Sequence, residues 1–297
     1  MRAEVLILAG DKIGEAPVWD ARASRLLWVD HSVGTVHEAR QECGAWRESR
    51  QWQLKQHVAA AIPRAGGGLI VACATEFLLL DEEGNAESFV KLDMDSAKYR
   101  INEAKCDAQG RLWFGTLSTS FDWTAALYCL GEDRRVSKML PGMALANGFD
   151  WSPDGTTLYL IDTLRCQIEA YRVADLKQTP RILTRFEPGA GGANGLTVDA
   201  EGCLWVALTG GGQVRRYSPQ GALLDTVTIS VPGATSCAFA GPTLEDLMIT
   251  SRSGRMPEIA LSIGVREDRM ECTAPEAGAV FVCRPGVRGR ISHEFRG

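Results

Sequence analysis

The chain reads as an all-β protein, a six-bladed β-propeller closed by pairing of its N- and C-terminal strands, and three observations predict it. Apolar runs centred on Trp28, Ile70, Trp113, Tyr159, Trp205 and Met248 recur at intervals of roughly 42 to 46 residues, the length of one four-stranded blade. A turn-plus-strand unit returns with them. LANGFDWSPDGTTLYLIDT at 145–163 has a near copy in GANGLTVDAEGCLWVALT at 192–209, with partial copies in NEAKCDAQGRLWFGTL at 102–117 and EAPVWDARASRLLWVDHS at 15–32. Finally, no segment keeps a three-to-four-residue apolar spacing for more than two turns, so long helices are not expected. Glu83 to Ser96 and Leu164 to Gln178 can each hold a helical turn at most.

The elements follow from local chemistry. Ser152-Pro153-Asp154-Gly155 is a tight hairpin turn, because Pro presets its start and Gly accepts a positive φ. Gln109-Gly110, Glu201-Gly202 and Glu83-Gly84 fill the same role. Shorter alternating segments, ALYCL at 126–130, IEAYRV at 168–173 and QVRRYS at 213–218, supply further strands of the blades. A ring of radial sheets leaves an open edge unless its last blade is closed by the first residues of the chain, so Glu4 to Ala9 and Gly278 to Arg284 should share one blade. No linker divides the sequence, and residues 1–297 read as one propeller domain. The glycines of GAGGANG at 189–195 precede a strand directly, as in a loop whose backbone approaches another group closely. Strand-end residues Asp30, Thr116, Asp162 and Thr209 are expected to converge at one mouth of the central channel.

Composition narrows the partners. A formal net charge of -5 with scattered Lys and Arg speaks against a nucleic-acid backbone, and a small molecule is the expected ligand. The N-terminal apolar run is too short for a signal peptide or a membrane span, so a cytoplasmic protein without membrane association is expected. Nine cysteines at no CxxC spacing, several inside strand-like segments, read as reduced core residues. A serine-hydrolase reading finds no Gly-x-Ser-x-Gly elbow, and a WD-type interaction propeller finds no repeated Gly-His and Trp-Asp signatures.

Several motifs in order, GEAPVWD at 14–20, RINEAKCDAQGRLWFGT at 100–116, ANGFDWSPDGTTLYLIDT at 146–163, GLTVDAEGCLWVALTGGG at 195–212, TSCAFAGPTLEDLMITS at 235–251 and the closing GAVFVCRPGVRGR, resemble the gluconolactonase/regucalcin (senescence marker protein) family. The resemblance spans essentially the whole chain. It implies a six-bladed propeller that binds one divalent cation at the channel mouth, in a family many of whose members hydrolyse sugar lactones. Its metal ligands fall on Glu15, Asn147 and Asn194, and its substrate contacts on Arg100 and Asn102. At 194 the family pattern has Asp, which both holds the cation and acts as base; this chain has an amide. An acidic sugar contact after Gly-Thr-Met is also unmatched, since the chain reads Gly115-Thr116-Leu117-Ser118-Thr119, followed by Phe121 and Trp123.

The residues themselves support a hard-cation site. One carboxylate and two amide oxygens suit calcium best, with magnesium, manganese or zinc as alternatives. Asn before Gly is equally what a tight turn selects, which is the competing reading of Asn147 and Asn194. The amide at 194 removes one negative charge and a proton acceptor, and general-base assistance is worth about 10²- to 10⁴-fold. Glu103, beside Asn102, is the first candidate for a replacement base; Asp162 and His31 are others. The expected activity is metal-dependent opening of a lactone or related cyclic ester, impaired or altered by Asn194. The alternative is a propeller that binds a cation or small ligand without hydrolysing lactones, or one turned to another reaction.

Overall fold

In the computed structural model, which describes residues 1–297, six four-stranded antiparallel sheets form the blades. Their innermost strands are Gly14–Asp20, Val58–Pro63, Tyr99–Cys106, Ala146–Trp151, Gly192–Val198 and Ala234–Ala240. The six apolar runs seen in the sequence are the second strands, Arg25–Asp30, Leu69–Cys73, Leu112–Ser118, Thr157–Asp162, Leu204–Thr209 and Asp246–Ser251. These are the most enclosed strands of each blade, packed against a neighbour on both faces, which is why they read as continuous apolar runs.

The ring closes as expected. Glu4–Ile7 forms the outer edge of blade 6 and pairs antiparallel with Val280–Cys283, with Glu4 opposite Val282 and Val5 opposite Phe281. The expected hairpin turns are present: the N–H of Gly155 donates to Ser152 O at 2.8 Å, and Gly110, Gly202 and Gly84 occupy the same left-handed position. Helical turns occur only in part where they were expected. Leu164 to Gln178 holds two short 3-10 turns around the strand Gln167–Arg172, whereas Glu83 to Ser96 contains the strand Ala86–Lys91 instead; the one α-helical turn is Ile259–Ser262. No helix is long and apolar enough to cross a membrane.

Every innermost strand is bulged near its start. The ladder to the second strand slips between Glu15 and Val18, Val58 and Ala60, Ile101 and Glu103, Ala146 and Phe149, Ala193 and Leu196, and Ala234 and Ser236. A bulge leaves its residues outside the ladder and re-aims their side chains. Asn102, Asn147 and Asn194 all occupy these slips, and Glu15 begins one. The Asn-Gly pairs are therefore bulges at the mouth, not hairpin turns. Their glycines are required by packing: a Cβ at Gly148 would strike the backbone of Asn194 and Leu196, and one at Gly195 would strike Ser236.

Candidate functional site at the channel mouth

Because innermost strands start at one face and second strands return to it, the bulges and the second-strand ends surround one mouth. Asp30, Asp162 and Thr209 end second strands and Thr116 lies just before the end of Leu112–Ser118, so they stand behind the innermost residues and do not line the channel. Asp30 accepts the N–H groups of Lys12 at 2.8 Å and Ser32 at 3.2 Å; Asp162 accepts those of Ala144 at 3.0 Å and Leu164 at 3.2 Å and faces Arg165. Both carboxylates fix the loops ahead of Glu15 and Asn147.

Thr163 and Thr209 set the two asparagines. Thr163 Oγ1 donates to Ala193 O at 2.8 Å, so its lone pair accepts from Asn147 Nδ2 at 3.0 Å. In the next blade Thr209 Oγ1 donates to Ala234 O at 2.6 Å and accepts from Asn194 Nδ2 at 3.1 Å. With each hydroxyl proton committed to a carbonyl, the amide must present its NH₂ there, which fixes the flip. Neither Oδ1 accepts a hydrogen bond, and neither is sealed from solvent. Asn194 goes further: its second N–H donates to Glu15 Oε1 at 3.1 Å, joining blades 5 and 1.

Glu15 is buried, and burial with the nearby charge of Glu103 pushes its carboxyl up to about 8, against the Asn194 N–H and the charge of Arg252. Glu103 lies on an innermost strand, not on a loop. Burial pushes its carboxyl up to about 7, opposed chiefly by Lys105, whose ammonium bonds to Asp150 at 3.3 Å and Leu196 O at 2.9 Å. Asn102 Nδ2 donates to Ala146 O at 3.1 Å, tying it to the blade that carries Asn147. His31 is buried with its ring 4.0 Å from that of His57, and Arg100 lies close enough to both to hold their pKa values down along with burial. Phe121 is half-buried and Trp123 exposed, both on left-handed backbone, with the Arg165 guanidinium 5.1 Å above the Trp123 ring.

Below the mouth the channel holds a cavity of about 70 Å³ lined by all six innermost strands, with Glu103, Lys105, Asp150 and Ser236 among its polar walls. Its far end is closed by the C-terminal tail, whose Arg290 donates to Trp151 O at 2.7 Å and Val198 O at 3.2 Å and whose Phe295 is fully buried between blades 2 and 3. The segment from Arg252 to Gly278 packs over blade 5 at the mouth. Ile263 rests where a Cβ on Gly192 would be, and Arg269 donates to Gly210 O at 3.3 Å. That close approach is what the glycine-rich stretch 189–195 accommodates.

The donor set fits a divalent cation: one carboxylate and two amide oxygens free of other partners are hard ligands held by rigid strands. A second acidic group, Asp199, Glu201 and Cys203, sits at the opposite face. There Arg216 pairs with Asp199 at 2.7 Å and Glu201 at 2.6 Å, and backbone N–H groups take up Asp199 Oδ1, so the carboxylates already have partners within the protein. Sequence reasoning missed His57, Arg252, Thr163 as an orienting group, and the tail. Thr163 was legible as the partner of Thr209 in the two aligned repeats, whereas His57 and the tail lie outside any repeated unit.

Six blades around a channel, with Glu15 and Asn194 in contact at one mouth, define a six-bladed propeller with a single polar mouth. The SMP-30/gluconolactonase/LRE-like family model matches residues 13–253, and the chain belongs to that family. It is 32% identical to regucalcin of Danio rerio over 306 residues, covering 100% of this chain and 99% of that one. It is also 32% identical over 292 residues to YvrE of Bacillus subtilis (strain 168), a candidate sugar lactone lactonase, covering 96% and 95%. Among solved structures, a luciferin-regenerating enzyme superposes with a TM-score of 0.87 at 28% identity over 99% of this chain and 100% of that chain.

Proposed function

We propose that this protein opens a lactone or related cyclic ester by attack of water, with a divalent cation held by Glu15, Asn147 and Asn194. Calcium suits the oxygen donors best, and manganese, magnesium or zinc are the alternatives. What supports the reading is the contact of Asn194 Nδ2 with Glu15 Oε1 at 3.1 Å between two blades, and the threonine that turns each amide so that its oxygen is free. When bound, the cation supplies carbonyl polarisation and an acidified water.

The rest is the work of the chain. Arg100 has donors to spare for ring or hydroxyl oxygens, since it makes no hydrogen bond or ion pair in the protein, and Asn102, anchored through Nδ2, offers Oδ1 to a hydroxyl. Asn194 holds and orients but cannot take a proton near neutral pH. Glu103, its carboxyl pushed up to about 7, is the group that can accept one there. The closed far end of the channel keeps bulk water to one side. The hydrogen bond between Asn194 and Glu15 favours a second reading as well, a ligand-binding propeller whose mouth is satisfied without a cation.

Hydrolysis of a lactone panel followed by pH-stat with calcium, magnesium, manganese and zinc separates the two. Slow wild-type turnover is expected, with Asn194→Asp faster by about 10²- to 10⁴-fold. Equal rates would show that position 194 is not the missing base, and no turnover in either protein would leave the ligand-binding reading.

A further inference from the structure

Guanidinium groups enclosed by this protein are usually paired. Arg25 meets Asp20, Glu38 and Glu82, Arg216 meets Asp199 and Glu201, and Arg290 meets Asp150. At the mouth Arg100 and Arg252 are the exceptions, and Arg100 is the more isolated of the two. It is half-buried and has neither an ion pair nor a hydrogen bond, and its Nε is sealed from solvent without a partner. The two rings beside it repeat the pattern, with His31 Nε2 and His57 Nε2 both buried and unpartnered. Three polar nitrogens from blades 1, 2 and 3 are thus enclosed in one arc with nothing to bond. A buried polar nitrogen left unsatisfied is costly, and an enclosed charge without a counter-ion more so.

The arc is also short of negative charge. Asp30, next to His31, spends its oxygens on loop N–H groups. The mouth's other carboxylates have partners of their own: Glu15 accepts from Asn194 at 3.1 Å, Glu103 from the N–H of Ala104 at 3.0 Å, and Asp162 from that of Ala144 at 3.0 Å. Arg252, across the channel on blade 6, adds a second cation with an unpartnered Nε. An uncharged sugar can satisfy N–H donors but leaves the charge uncompensated. A carboxylate satisfies both, and the planar fork of Arg100 suits its two oxygens.

We propose that His31 and His57, each as the tautomer that carries its proton on Nε2, form a carboxylate subsite with Arg100, so that the molecule bound at this mouth carries an acidic group besides the ester to be opened. Resting on the lactonase reading, this narrows the substrate class to lactones of sugar acids that keep a free carboxylate, and makes the ring-opened product a dicarboxylate. Hydrolysis then consumes one water and frees one proton from the new acid group, and the subsite carboxylate is unchanged.

Calorimetric titration of the chelator-treated protein tests the subsite without catalysis. The probes are the sugar dicarboxylate glucarate and the neutral polyol glucitol, equal in carbon number. Glucarate is expected to bind at least about tenfold more tightly than glucitol, and Arg100→Gln and His57→Leu each to weaken it by about tenfold or more, as removal of a bond to a charged group does. Thermal melts check that the variants fold, and His57→Leu carries the test should Arg100→Gln unfold. Equal binding of the two probes, or glucarate binding unchanged in a folded variant, would overturn the subsite. A protein that binds glucarate yet opens no lactone keeps the subsite and loses the hydrolase reading; one that opens lactones but ignores the second carboxylate does the reverse.

Discussion

The two Ala-Asn-Gly segments, in blades 4 and 5, share sequence, bulge and threonine support, and differ in one contact. Asn147 Nδ2 bonds only to Thr163, while Asn194 Nδ2 bonds to Thr209 and also to Glu15. One amide is a bystander to the charge of the site and the other its partner. The same residue type therefore has different chemistry in adjacent blades, because only blade 5 lies within reach of the carboxylate of blade 1.

Removing the charge should have the largest effect. Glu15→Gln keeps the shape but deletes the only carboxylate of the donor set, so divalent binding measured by calorimetry is expected to vanish. The comparison is sharper in aspartate variants. Without metal and above about pH 8, where Glu15 is ionised, Asn194→Asp sets a carboxylate 3.1 Å from that of Glu15, whereas Asn147→Asp faces only a hydroxyl that can turn. The melt of metal-free Asn194→Asp should show a loss of about 1–3 kcal/mol relative to Asn147→Asp, recovered by saturating calcium. Equal losses would mean that the Glu15 contact does not distinguish the blades.

Next in size is the pH profile. A base must be deprotonated, and Glu103 is held at about 7, so its contribution falls as pH drops below about 7 and levels off above it. Glu103→Gln should erase that limb of the rate profile; an unchanged limb would place the base elsewhere. The same shift has a stability sign. With the folded value above the ordinary 4.5 of a glutamate, the folded state binds more protons between them, so Glu103 costs stability progressively as pH rises from about 4.5 through about 7. The smallest effects belong to the supports. Thr209→Val and Thr163→Val free their amides and should each weaken cation binding by about 10- to 100-fold. Thr209→Val should also loosen the Glu15 contact, which a downward drift of the metal-free melting temperature would report.

The blades were legible because each second strand is enclosed on both faces and so must be apolar along its length, and the turn chemistry of Ser152 to Gly155 is local. Closure by Glu4–Ile7 was legible because an unpaired edge needs a partner. The bulges were not. Asn-Gly looks the same in a hairpin turn and in a bulge, and the choice is made by the neighbouring blade, whose backbone occupies the space over Gly148. The strand-end residues misled for a related reason: Asp30 and Asp162 do stand at the mouth face, but one strand back, where backbone N–H groups claim them. His57 and Arg252 became visible only when ring order brought unrelated loops together.

Anomalous diffraction from crystals soaked in manganese, recorded for wild type and Glu15→Gln, tests the central claim most directly. A peak bounded by Glu15 and the Oδ1 atoms of Asn147 and Asn194 in the wild type, and none in Glu15→Gln, is the predicted result. A peak at Asp199, Glu201 and Cys203 with an empty mouth, or a mouth peak that survives Glu15→Gln, would contradict it.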